Sequence, residues 1–268
     1  MSGTSLRWTG LRWNGGTGMV GLLAVTPNLG GITTKSQAFH SESGSVRYDV
    51  PVRSTRSYGD GCSSAHALDL IGDRWALLIV RDLLFGPKRF GDLHAGLPQI
   101  SPNVLSQRLR DLEGAGVVER RKLPAPASAM VYGLTEWGAG LEPVLMGLQR
   151  WGAGSPQFDP TVPVGCDAAM LALKNAFRPE AAGDARMVVE VRFPTATFGV
   201  TVADAAMSIA RGTVGDADAV IETDPTTLEE VVFGLRRLAA AEKAGRFQVH
   251  GDRSAVERLL RLFPPPPS

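Results

Sequence analysis

The sequence predicts an α+β fold in two parts: a helical part with one β-hairpin at 58–154, then a strand-rich α+β part at 165–263. An extension, 1–57, precedes both. Three observations carry this. Apolar residues recur at helical spacing between caps and breakers from 73 to 151. Apolar and polar residues alternate in short runs between 187 and 223. Residues 1–57 show neither period and are rich in Gly, Ser and Thr, as in Gly15-Gly16, Gly30-Gly31 and Ser41-Glu42-Ser43-Gly44-Ser45, so they read as disordered.

Composition bounds the answer. The chain has 268 residues, 44% hydrophobic and 21% charged, enough for one large or two small domains and too apolar for whole-chain disorder. Two cysteines cannot build a disulfide framework or a four-thiolate zinc site. They suit a reducing compartment, and a cytoplasmic location is expected. The apolar run from Met19 to Val25 ends at Thr26-Pro27, far short of the roughly 20 residues of a membrane span, so no membrane is expected as partner. Arg7 and Arg12 precede that run, but no A-x-A site follows it, so it is not read as a secretory leader. The net charge is +1. It divides as +4 over 1–57, zero over 58–155 and −3 over 156–268. A generally basic nucleic-acid binder is excluded; a local basic face is not.

The elements follow in order. Asp73 reads as the N-cap of an apolar helix over 75–84, which Gly86-Pro87 stops. A short helix over 90–95 ends near Gly96-Leu97-Pro98. Ser101 and Pro102 supply an N-cap and a first-turn proline for a helix over 103–114, with Leu105, Leu109 and Leu112 as its inner face. Residues 117–122 form a strand with a basic end, 124–128 a Pro/Ala turn, and 130–134 the returning strand. Thr135 caps a last helix carrying Leu141, Val144, Leu145, Leu148 and Trp151. Three helices, a hairpin and a helix make a winged helix. A linker with Pro156, Pro160 and Pro163 follows. Beyond it, 166–177 reads as helix; 187–193, 197–202, 207–211, 219–223 and 245–249 read as strands. Thr226-Thr227 is read as the cap of a long helix over 228–244, and Ser254 as the cap of a final one ending at Phe263. Pro264 to Pro267 cannot be helical.

Pointing the Leu105/Leu109/Leu112 stripe inward turns Asn103, Gln107 and Arg110 outward, with Ser106 at the edge. These types suit the major groove of double-stranded DNA: Asn and Gln can bond adenine twice, and Arg can pair with guanine O6 and N7. Ser101 and the free amides of the helix start suit a phosphate. Arg108 at the flank, Lys88 and Arg89 before the second helix, and Arg120, Arg121 and Lys122 on the wing are candidate phosphate contacts. A solvated helix face carries the same residue types, so it is the whole helix–hairpin arrangement that favours DNA.

Several linked blocks carry a resemblance: Cys62; Leu68-Asp69-Leu70-Ile71-Gly72-Asp73-Arg74-Trp75; Gly86-Pro87-Lys88-Arg89-Phe90-Gly91-Asp92-Leu93; Ile100-Ser101-Pro102-Asn103-Val104-Leu105-Ser106-Gln107-Arg108-Leu109; and Tyr132-Gly133-Leu134-Thr135-Glu136-Trp137-Gly138. In order and spacing, residues 62–153 resemble the HxlR-type winged helix-turn-helix transcription regulators of bacteria. The resemblance implies a homodimer, formed largely by the first and last helices, on a roughly palindromic operator. Two departures stand out. Asp73-Arg74 replaces the usual Gly-Lys before the tryptophan, and the wing turn carries no charge. Some members sense oxidants or electrophiles through a cysteine just before the first helix, and Cys62 occupies that place. A helix N-terminus lowers a thiol pKa, whereas Asp60 opposes it. Cys166, on an apolar helix, reads as core.

Residues 187–263 resemble the sterol-carrier-protein fold through Phe198-Gly199-Val200-Thr201-Val202, Asp224-Pro225-Thr226-Thr227-Leu228, and Gly245-Arg246-Phe247-Gln248-Val249-His250-Gly251-Asp252. That resemblance implies a cavity for a small apolar ligand. Phe193, Phe198, Val220, Phe233, Leu238, Phe247, Leu259 and Phe263 are its candidate walls; taken singly, each reads more readily as core.

An enzyme is not expected. His40, His66, His94 and His250 are scattered, and H-E-x-x-H, G-x-S-x-G and P-loop motifs do not occur. No metal and no cofactor are expected. Gly16-Thr17-Gly18-Met19-Val20-Gly21 matches G-x-G-x-x-G, but no convincing strand precedes it and Pro27 cuts short any helix. The alternatives left open are a thiol-based sensor through Cys62 and a lipid carrier with a degenerate DNA reader.

Overall fold

The computed structural model describes residues 57–124 and 128–263, all within one compact unit, Tyr48–Ser268. The extension over 1–56, its G-x-G-x-x-G stretch, the centre of the wing turn and the prolines from 264 lie outside the described residues.

The first part runs α1 (Ser63–Ile71), α2 (Ala76–Leu83), α3 (Phe90–Gly96), α4 (Pro102–Gly114), β1 (Val118–Lys122), β2 (Met130–Leu134), α5 (Glu136–Ala139) and α6 (Glu142–Ala153). Local chemistry fixes α4. Ser101 Oγ accepts from the Val104 amide at 3.4 Å, Pro102 opens the helix, and Leu105, Leu109 and Leu112 are buried. Each buried leucine contributes about 1.5–3 kcal/mol. The wing pairs antiparallel, with Val118 opposite Leu134 and Arg120 opposite Tyr132. Thr135 caps α5 by accepting from the Gly138 amide at 2.9 Å.

Two expectations change here. Asp73 does not cap α2. Trp75, at φ 80, takes the left-handed conformation immediately before the helix, and the Asp73 carboxylate turns instead to Arg108. The last helix is two: Gly140 ends α5, and α6 restarts with Pro143 in its first turn.

The second part runs α7 (Cys166–Ala176), α8 (Pro179–Ala182), β3 (Met187–Phe193), β4 (Ala196–Ala203), β5 (Ala206–Arg211), β6 (Ala219–Thr223), α9 (Pro225–Val232), α10 (Leu238–Lys243), β7 (Phe247–Gly251) and α11 (Arg253–Leu260). The strands form one sheet in the order β5-β4-β3-β6-β7. β3 pairs antiparallel with β4 and parallel with β6. Asp204 and Ala205 both adopt positive φ in the tight β4–β5 turn, as a hairpin's right-handed twist requires.

The long helix read over 228–244 is interrupted. Gly234 adopts φ 70, the Arg236 amide bonds the Glu230 carbonyl, and Leu235 of the supposed apolar stripe stands 71% exposed. Its cap is Asp224, whose carboxylate takes the Thr227 amide at 2.9 Å and hydroxyl at 2.6 Å. Asp252, not Ser254, caps α11, accepting the Ser254 amide at 2.8 Å. In both places a carboxylate two residues upstream of the expected cap takes its place, and charge-assisted acceptance is the stronger kind.

The two parts share one continuous core. Phe85 meets Phe198 edge-to-face, ring centroids 6.0 Å apart, and the Arg211 amide donates to the Phe85 carbonyl at 2.7 Å.

Candidate nucleic-acid interface

The α4 face opposite the leucine stripe is open. Ser101, Asn103, Gln107 and Arg110 are exposed and Ser106 is half-buried. Their side chains are organised. Arg110 Nη2 donates to Gln107 Oε1 at 2.6 Å, and Gln107 Nε2 donates to Asp111 Oδ1 at 2.8 Å. Gln107 keeps one N–H and one lone pair, and Arg110 keeps most of its donor fork. Arg108 behaves differently from the expectation of a phosphate contact: its guanidinium is bracketed by Asp73 and by Asp111, the latter at 3.2 Å.

On the wing, β1 leaves Glu119, Arg120, Arg121 and Lys122 exposed. The Arg120 guanidinium lies 5.9 Å from the Tyr132 ring centroid, and Arg121 Nε lies 3.7 Å from Glu119 Oε1. Arg89 is exposed beside α3.

Lys88 requires a correction. It is only 4% exposed, and its Nζ lies 3.2 Å from Asp82 Oδ2 and 2.5 Å from Asp167 Oδ2. Its ammonium is not on the basic surface. An ammonium removed from water persists only with carboxylate partners, and both are themselves buried. Burial pushes Asp82 above its ordinary range against the opposing pull of Arg81 and Lys88. The sequence did hold one hint, an aspartate inside the apolar run 75–84. The second carboxylate is 79 residues away and carried none.

On α6, Leu145 is buried and Leu141 half-buried, while Val144, Leu148 and Trp151 point outward, Trp151 at 80% exposure. Leu68 on α1 is also exposed. Cys62 stands exposed at the start of α1. The Ser64 and Ala65 amides and the Ser64 hydroxyl at the start of α1 hold its thiol below the ordinary range, and Asp60 accepts from the Cys62 amide at 2.9 Å. The Cys166 thiol is pushed up by burial.

Of the expected pocket walls, Phe193, Phe198, Phe247, Leu259 and Phe263 are buried in the common core, and Val220, Phe233 and Leu238 are half-buried. Phe193 alone among them borders the cleft found in this part, a cavity of about 570 Å³. The cleft is polar: Arg192, Thr197, Glu222, Asp224 and Arg246 line it, with Arg192–Glu222 and Arg246–Asp224 pairs at 3.2 Å each. Five of the eight belong to the buried core, and Phe233 and Leu238 pack against it; Phe193 and Phe198 meet edge-to-face, ring centroids 5.9 Å apart. Among the described residues, no His/Cys/Asp/Glu cluster is placed to hold a metal, and no helix is long and apolar enough to cross a membrane.

Two family models match separate stretches of the chain. Residues 70–158 match the HxlR-like helix-turn-helix family model, and residues 176–268 match the Alkyl sulfatase C-terminal model. The uncharacterized HTH-type transcriptional regulator YvaP of Bacillus subtilis (strain 168) is 44% identical over 79 residues, covering 30% of this chain and 73% of its own. The HTH-type transcriptional regulator YodB of the same organism is 42% identical over 78 residues, covering 29% and 70%. The solved reduced form of YodB covers 36% of this chain and 95% of its own at 37% identity, with a TM-score of 0.33. These two relatives are each covered over more than two thirds of their length at above 40% identity, and the chain belongs to the HxlR-like helix-turn-helix family.

Proposed function

We propose that the chain is a sequence-specific transcription regulator that binds operator DNA as a homodimer, with one α4 per half-site. The observation that carries this is the open face of α4, where Asn103, Gln107 and Arg110 stand exposed over a buried leucine stripe. Those side chains match base edges in the major groove. Arg89, Arg120, Arg121 and Lys122 supply exposed cations beside it for phosphates. Outward-facing Leu68, Val144, Leu148 and Trp151 offer an apolar surface for two-fold pairing, and pairing sets half-site spacing. The test is a titration of promoter DNA at several salt concentrations. Affinity that ignores salt would remove the phosphate contacts from the account.

A second reading rests on Cys62, exposed and lowered in pKa. In this reading oxidation or alkylation of Cys62 alters operator affinity. Diamide treatment before DNA titration tests it, and unchanged affinity with Cys62 fully oxidised rejects it.

For the second part we favour a sterol-carrier-like module without catalysis. The packing of Phe198, Phe247 and Phe263 into the shared core supports a scaffolding role over enclosure of an apolar ligand. Mass spectrometry of the gently purified protein tests this, since a retained lipid would reverse the preference.

A further inference from the structure

Lys88 is held in two directions at once. Its ammonium reaches Asp167 on α7 at 2.5 Å and Asp82 on α2 at 3.2 Å. Its backbone forms a bridge to the wing: the Lys88 amide donates to the Tyr132 carbonyl at 2.9 Å, and the Tyr132 amide donates to the Lys88 carbonyl at 2.8 Å. Tyr132 in turn is the cross-strand partner of Arg120, whose guanidinium lies by its ring. Asp167 has its own anchor, an ion pair with Arg211 of β5. Arg211 lies 4.5 Å from the Phe198 ring centroid, and its amide fixes the Phe85 carbonyl three residues before Lys88. The segment 85–88 is therefore clamped between the C-terminal sheet and the wing. Asp167 lies outside both matched regions, 70–158 and 176–268, so neither module by itself supplies this clamp.

We propose that Asp167 and Lys88 are positioning residues for DNA binding: through them the C-terminal part sets the position of the basic wing without touching DNA. The proposal rests on the DNA-binding reading of the wing. It gives the second part a function, because anything that displaces α7 is felt at Arg120, Arg121 and Lys122. Two buried ions joined across parts suit this role, since a charge stripped of its partner cannot stay where it is.

Two arms on the full chain test it. In the first, amide hydrogen exchange is compared between the wild type and Asp167→Asn without DNA. The Lys88 and Tyr132 amides are expected to exchange at least about tenfold faster, with the Leu109 and Leu112 amides of α4 unchanged. Protection retained at Lys88 and Tyr132, or lost equally along α4, overturns the proposal. If Asp167→Asn does not fold, Asp167→Glu keeps the charge and shifts the carboxylate by one methylene, and it is read in the same way.

In the second arm, the salt dependence of DNA affinity is measured for the wild type, Asp167→Asn, the wing triple Arg120→Ala/Arg121→Ala/Lys122→Ala, and all four changes together. The triple is expected to flatten the slope by up to about 5, at roughly 0.9 per lost phosphate contact in a dimer. Asp167→Asn should reproduce part of that flattening and add nothing to the triple. An independent, additive loss overturns the positioning role. A triple that leaves the slope unchanged overturns the DNA reading of the wing itself, and the exchange arm shows separately whether the clamp exists.

Discussion

Arg108 of α4 is ion-paired to Asp73, which stands in the turn before α2, and the same guanidinium is held by Asp111 on its other side. In the proposed DNA-binding reading, a carboxylate here occupies a guanidinium that would otherwise be free for a phosphate. Asp73 also belongs to one of the two departures from the family pattern that the sequence shows. Replacing Asp73 by Ala is expected to release Arg108 and tighten DNA binding several-fold, with a slope in log salt steeper by about 0.9 per protomer. Stability should change by less than about 1 kcal/mol, since Asp73 is largely exposed. Weaker binding by the variant would show instead that Asp73 orients α4.

The Arg110–Gln107–Asp111 chain predicts which contacts carry sequence information. Arg110→Ala should lower affinity for the operator by about 1–3 kcal/mol while leaving binding to random DNA almost unchanged. Competition between operator and random duplexes measures this. Equal losses on both duplexes would make Arg110 a phosphate contact and move the base reading elsewhere.

Glu229 predicts a pH dependence of stability. Burial pushes its carboxyl up to about 7. Between its ordinary range and that value the folded protein keeps a proton that the unfolded chain has released. Stability attributable to this group therefore falls as pH rises through that window and stays low above it. Glu229→Gln should match the wild type at pH 4 and be more stable at pH 8. For a half-buried group the gain is about 1 kcal/mol, discounted for solvent. Urea denaturation at the two pH values decides; a variant less stable at pH 8 would mean that the carboxylate has a partner worth keeping.

Cys62 and Cys166 should separate kinetically. The Cys62 thiol is exposed and lowered by the amides at the start of α1, and the Cys166 thiol is raised by burial. At pH 7 iodoacetamide is expected to modify Cys62 first, with a fast phase that vanishes in Cys62→Ser. A fast phase surviving that substitution would assign the reactive thiol to Cys166.

Much of this was legible in the residues because the governing interactions are local. The cap at Ser101, the proline after it and the leucine spacing fix α4 within fifteen residues of chain, and the hairpin needed only its two runs and the turn between them. Legibility ended where distant groups decide. Lys88 reads as a surface cation beside Arg89 until Asp167, far along the chain, supplies the second carboxylate that lets it be buried. The apolar spacing across 228–244 is continuous, yet Gly234 breaks the helix and leaves Leu235 in water. The aromatic residues taken as pocket walls have the composition of either a cavity or a core, and only packing distinguishes the two.

The claim on which most depends is that two copies of α4 enter successive turns of one duplex. Footprinting the full chain on its own promoter tests it most directly. The expected result is two protected half-sites about 10 base pairs apart centre to centre, both lost when Arg110 and Gln107 are replaced by Ala. A single protected site, or a footprint that survives the double replacement, would contradict it.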